Sequence, residues 1–120
     1  MVKVTVESAY AADVAEEGND YLDGIFRPVF EEITATDLDS DRPIPADIDG
    51  IYVRNGHNPI YRPQSGRYHW FDGDSMVHAV AFEDGRATYR NRMVLTAGLL
   101  AEMEQGKGLY LGLRDGFAAE

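Results

Sequence analysis

The sequence predicts an all-β fold, and three observations carry that reading. "SMVHAVAFEDGRATYRNRMVLT", residues 75–96, is two alternating runs joined by Asp84-Gly85, and Asp-Gly between alternating hydrophobics is a strong hairpin signal. Shorter β-branched or aromatic stretches stand upstream, "EITAT" and "IYVRNG" among them. Between them lie clusters of Gly, Pro and Asp, which end strands and form turns.

The elements follow in order. Val2, Val4 and Val6 alternate and can add an edge strand, while the acidic "ADVAEEGND" after them reads as loop. Ile33 to Thr36 suits a short strand, and "DSDRPIPADIDG" is turn chemistry closed by Gly50. "IYVRNG" reads as a strand that stops at Asn55-Gly56, and Pro59 and Pro63 keep "HNPIYRPQSG" a loop. A two-residue turn at Asp84-Gly85 sets Phe82 opposite Ala87, Val80 opposite Tyr89, His78 opposite Asn91 and Met76 opposite Met93. One face then carries Met76, Val80, Phe82, Tyr89 and Met93 as core, with His78 and Asn91 as a polar pair inside it. "AGLLAEMEQG" fits a short helix capped by Thr96 and stopped by Gly106. The tail "KGLYLGLRDGFAAE" shows no closing element. Residues 1–19 read as a variable acidic arm and 20–120 as part of a larger β domain, because a hairpin and a few strands leave sheet edges uncovered.

Composition narrows the function. The chain has 120 residues, a net charge of -10 and no cysteine. Residues 1–50 hold 13 acidic and 3 basic side chains, and the remainder is balanced. Nucleic-acid binding needs a positive field, which is missing here. Without cysteine there is no disulfide framework and no thiolate ligand or nucleophile, which fits a cytoplasmic setting. No apolar run approaches the roughly 18–20 residues that span a bilayer.

Three motifs invite chemical readings. Asp37, Asp39 and Asp41 begin like a calcium loop, but Arg42 takes the place of its glycine and Ile48 that of its bidentate glutamate, so a turn is favoured. His57, His69 and His78 are the only histidines. Imidazole suits iron and zinc, yet their spacing is not that of ligands, and structural roles are favoured. Asp72 and Asp74 flank Gly73 and point the same way in an extended chain, but aspartate beside glycine more often accepts backbone N–H bonds. No catalytic, cofactor or metal residue is assigned within the chain.

"FRPVFEEITATDL", "PIPADIDGIYVRNGHNP" and "RYHWFDGDSMVHAVAFEDGRATYRNRMV" stand in this order. Together they resemble the N-terminal region of the carotenoid cleavage oxygenases, the family that includes the retinal pigment epithelial protein, from about Tyr21 to Gly112. The resemblance implies a seven-bladed β-propeller of which this chain is the N-terminal part, about one blade plus closing strands. It implies Fe(II) held by four histidines that lie outside this chain. It also implies an apolar conjugated substrate and dioxygen, joined at one double bond to give carbonyl products. Peripheral membrane contact for substrate uptake is compatible with it, and the remaining blades are required partners. Two positions depart from the family pattern: His57 stands where "RNGPNP" has proline, and Ser75 where "DGDGM" has its second glycine. On this reading "YHWFDGDSMVH" is scaffold, with Trp70 and Phe71 supplying burial and the chain inactive alone. The rival reading is a non-catalytic β module that binds an apolar ligand or a partner chain through its open edge.

Overall fold

The computed structural model describes residues 1–64 and 66–115, so the end of the tail lies outside the described residues. Two compact units are present. The first, residues 1–9, 31–56 and 76–93, is a five-stranded sheet in the order β1-β2-β5-β4-β3. Its strands are β1 (Lys3–Ala9), β2 (Glu31–Thr36), β3 (Gly50–His57), β4 (Ser75–Glu83) and β5 (Arg86–Met93).

The β4–β5 hairpin has the expected register, from Met76 opposite Met93 through Val80 opposite Tyr89 to Glu83 opposite Arg86. Asp84 and Gly85 both take positive φ, 53° and 73°, the backbone that a two-residue turn matched to strand twist demands. Met76, Met93, Ala87 and Asn91 are buried. Val80, Phe82 and Tyr89 are only half-buried, so the expected core face is closed at one end.

The β2–β5 seam relies on side chains as much as on the ladder. Only Thr34–Arg90 and Ala35–Tyr89 pair as strand partners. Beyond them, Ile33 N–H donates to Asn91 Oδ1 (2.6 Å) and Met93 N–H to Glu32 Oε2 (2.8 Å). Arg92 Nη1 donates to Ile33 C=O at 2.9 Å. Asn91 is buried because it stands in for a missing rung, and a buried N–H without a partner costs about 1–3 kcal/mol.

β1 pairs antiparallel with β2 and forms one edge, as the alternating valines allow. At the other edge, β3 does not stop at Asn55-Gly56 but runs on to His57. Neither Asn55 nor Gly56 takes positive φ, so the turn signal is overridden by strand pairing.

The second unit comprises residues 10–30, 57–75 and 94 onward. It is mostly loop, tied by paired polar groups. Asn58 exchanges two 2.7 Å bonds with the Val29 backbone, and Asp13 bridges Tyr61. Its buried residues include Val14, Asn58, Ile60, Tyr68 and Leu99. Helix α1 (Ala97–Gln105) begins where Thr96 Oγ1 accepts the Leu99 N–H and ends at Gly106 with φ 70°, as the sequence predicts. Among the described residues no helix is long and apolar enough to cross a membrane.

Candidate functional site

Each histidine is committed to a neighbour. His57, at the end of β3, is hydrogen-bonded through Nδ1 to the hydroxyl of the fully buried Tyr68 at 2.7 Å. Burial pushes the Tyr68 phenol up, and the nearby Asp72 and Asp74 carboxylates push it further. Burial also pushes the His57 imidazole down, so the pair is neutral near pH 7. Gly73 is required beside it, since a Cβ there would lie 2.6 Å from the Tyr68 hydroxyl.

His69 caps the 3-10 turn Trp70–Asp72: its Nδ1 accepts the Phe71 N–H, and its own N–H donates to Asp72 Oδ2. Tyr21 stacks at a tilt on its ring, with centroids 4.9 Å apart. In the sheet unit, His78 Nδ1 bonds the Tyr89 hydroxyl at 2.6 Å. Its imidazole is pushed down by burial and then by the Arg54 charge.

One expectation fails here. Trp70 is 42% and Phe71 75% exposed, so this pair does not supply burial. The buried aromatic of the stretch is Tyr68. The 3-10 turn points the two larger rings outward, where Trp70 meets Phe26 and His57 edge to face.

The "FDGD" carboxylates do accept backbone N–H groups. Asp72 takes His69 and Leu113, and Asp74 takes Ile60. Both also line one cavity of about 240 Å³ together with Glu102, Tyr61, Leu99 and Tyr110. Burial pushes the Asp74 carboxyl up. Glu102 is pushed up as well, by burial and then by the Asp74 charge. Sequence reasoning missed Glu102. The available signal was its i,i+3 spacing from Leu99, which puts both on one helix face.

At 37–41, Asp37, Asp39 and Asp41 are exposed on a turn entered through Asp37 at φ 54°. Among the described residues no group of three or more His, Asp or Glu stands together as a metal site would require. The iron that the family resemblance implies therefore does not fit the residues present here.

The two low imidazoles predict a pH dependence of stability. His57 and His78 titrate lower in the folded chain than the ordinary value of about 6.5. The folded state then binds fewer protons than the unfolded one, so their contribution is complete above pH ~6.5 and is lost as pH falls through the folded values. Asp74 and Glu102 have the opposite sign and add stability at lower pH, below their raised folded values. The histidine part of this dependence is isolated by substitution: as pH falls from 7 through the imidazole range, His57→Asn and His78→Asn should each lose less melting temperature than the parent chain. A slope equal to that of the parent chain in both variants contradicts the assignment.

Comparison with known proteins gives consistent matches. The sequence profile of the family described as Retinal pigment epithelial membrane protein matches residues 26–119. A carotenoid cleavage oxygenase of Mycobacterium tuberculosis is 50% identical over 93 residues, which cover 77% of this chain and 19% of that protein. A carotenoid 9,10(9',10')-cleavage dioxygenase 1 of Phaseolus vulgaris is 41% identical over 95 residues, covering 79% and 17%. Among solved structures, a lignostilbene dioxygenase of Pseudomonas brassicacearum superposes with a TM-score of 0.77 at 30% identity, over 86% of this chain and 22% of that one. A Synechocystis apocarotenoid oxygenase gives 0.61 at 35% identity, over 68% and 17%. The chain spans about a fifth of the length of these proteins.

Proposed function

Because this chain belongs to the Retinal pigment epithelial membrane protein family, we propose that it is the N-terminal portion of a dioxygenase that cleaves a conjugated double bond oxidatively. The substrate class is carotenoids, apocarotenoids or stilbene-like olefins, and the products are carbonyl compounds. One observation carries this reading: half of 93 residues are identical to a carotenoid cleavage oxygenase of which they make up only 19%. Solved structures of a lignostilbene dioxygenase and an apocarotenoid oxygenase support the substrate class. In this proposal Fe(II) is held by histidines of the longer parent. The present 120 residues build one sheet and its flanking loops, and no chemical step is assigned to them.

The rival, a non-catalytic β module, is favoured by β3. Ile51, Tyr52 and Val53 are all more than half exposed on that edge strand, as a surface waiting for a partner would be. Sequencing the gene past Glu120 separates the two. The proposal expects an open frame that continues to several times this length and an intact product that bleaches carotenoid or stilbene absorbance in air, releasing two carbonyl fragments. A stop codon after Glu120, or an intact product inert toward both substrate classes, overturns it.

A further inference from the structure

Tyr68 is fully buried, and its hydroxyl meets His57 Nδ1 at 2.7 Å. The other acceptor near that hydroxyl is the Trp70 carbonyl at 3.5 Å, beyond the ordinary O–H···O range. The phenol therefore donates to Nδ1, which leaves the imidazole proton on Nε2. Burial keeps the imidazole neutral and the phenol protonated near neutral pH. The His57 ring also meets the indole of Trp70 edge to face, with centroids 5.9 Å apart, and Phe26 packs on both. Trp70 is the only tryptophan of the chain and is 42% exposed. An oxidisable ring at the surface thus touches a pair that can give up an electron and keep the proton. A phenol is oxidised far more readily when its proton moves in the same step, and a base within one short hydrogen bond opens that path.

We propose that Trp70, Tyr68 and His57 form a relay for proton-coupled electron transfer, which carries an oxidising hole from the surface to a buried phenol. The oxidant is an oxygen-centred radical, the class that dioxygen forms with conjugated olefins. It takes one electron from the exposed indole and is itself reduced, picking up a proton from water. The indole radical cation then takes one electron from Tyr68. As that electron leaves, the phenolic O–H bond breaks and an Nδ1–H bond forms on His57. The products are a neutral indole, a neutral tyrosyl radical and an imidazolium. Asp72 and Asp74, close enough to push the Tyr68 phenol up, favour the positive charge that His57 gains. Tyr89 supplies the internal comparison. Its hydroxyl meets His78 Nδ1 at 2.6 Å, but among the described residues its ring contacts that imidazole and no indole. It has the base without the surface entry. The relay uses only groups of this chain and stands whether or not the dioxygenase reading does.

The test is flash photo-oxidation of the intact gene product by a ruthenium polypyridyl complex with a cobalt ammine quencher, read by electron paramagnetic resonance on freeze-trapped samples. A tyrosyl radical should form whose spectrum changes when histidine nitrogen is isotopically labelled, because Nδ1 now donates to the phenoxyl oxygen. That signal should fall several-fold in Trp70→Phe, vanish in Tyr68→Phe with an indole radical left in its place, and persist in Tyr89→Phe. His57→Asn removes the proton acceptor, so the hole should stay on the indole and its decay should lose the solvent deuterium effect seen in the parent. A hydrogen bond that only holds the fold would leave both readouts unmoved. Should Tyr68→Phe or His57→Asn give no soluble protein, the labelling measurement and the exposed Trp70→Phe variant still decide. A parent that forms no tyrosyl radical, a radical blind to histidine labelling, or a yield indifferent to Trp70→Phe overturns the relay.

Discussion

Replacing Gly108 by alanine is expected to destabilise the fold by roughly 2–4 kcal/mol, as overpacking plus the loss of one or two hydrogen bonds. A Cβ on Gly108 would overlap the Arg62 carbonyl oxygen outright. The obstacle is backbone, so no rotamer change relieves it. The segment around Gly108 is held on both sides, by Leu109 N–H on Glu102 and by Gln64 N–H on the Tyr110 carbonyl at 3.1 Å. Moving the chain to make room breaks these contacts and opens the cavity that Glu102 and Tyr110 line. Gly56→Ala is the control: a methyl group there meets nothing within 4 Å, and φ is not positive. That change should stay within about 0.5 kcal/mol. A urea titration followed by circular dichroism would show a lower midpoint with unchanged slope for Gly108→Ala only. Equal midpoints would mean that the approach to Arg62 is not a constraint.

What could be read from the sequence was local. The hairpin register follows from Asp84-Gly85, because two adjacent residues at positive φ leave one way to align the alternating runs. The limits of α1 follow from Thr96 and Gly106 for the same reason, since cap and stop lie within one turn of what they fix. The failures are all cases where a distant segment or an unforeseen cap decides. Asn55-Gly56 is a turn signal only while no neighbour holds it extended. Trp70 and Phe71 are hydrophobic enough to be buried, yet the cap formed by His69 and Asp72 turns them outward. The insertion of β2 beside β5 depends on Asn91, Glu32 and Arg92 meeting across some sixty positions of sequence. No period in the sequence announces such a seam. The acid-lined cavity is of the same kind: Asp72 and Asp74 were visible as a pair, but their third member arrives on a helix that only the tertiary fold brings near.

The 120-residue chain by itself is expected to self-associate, take up no stoichiometric iron and leave carotenoid absorbance unchanged in air. The association follows from β3. Successive strand residues face opposite sides of a sheet, so Ile51, Tyr52 and Val53, at 63%, 61% and 54% exposure, leave both faces of this edge apolar and wet. Runs of that kind belong to strands covered on both sides, and the edge also presents unpaired backbone groups to any second strand. The absence of uptake follows from the histidines. His57, His69 and His78 each spend Nδ1 on Tyr68, Phe71 or Tyr89, and a metal would have to compete with those bonds without a second ligand positioned beside it. Sedimentation velocity should show a mass that rises with concentration. Anaerobic Fe(II) loading followed by desalting should leave well under one iron per chain. A monomer that retains one iron and bleaches the substrate only when oxygen is admitted would defeat the fragment reading. His57, His69 and His78 would then have to be reconsidered as ligands, starting with the loss of iron expected from alanine at each.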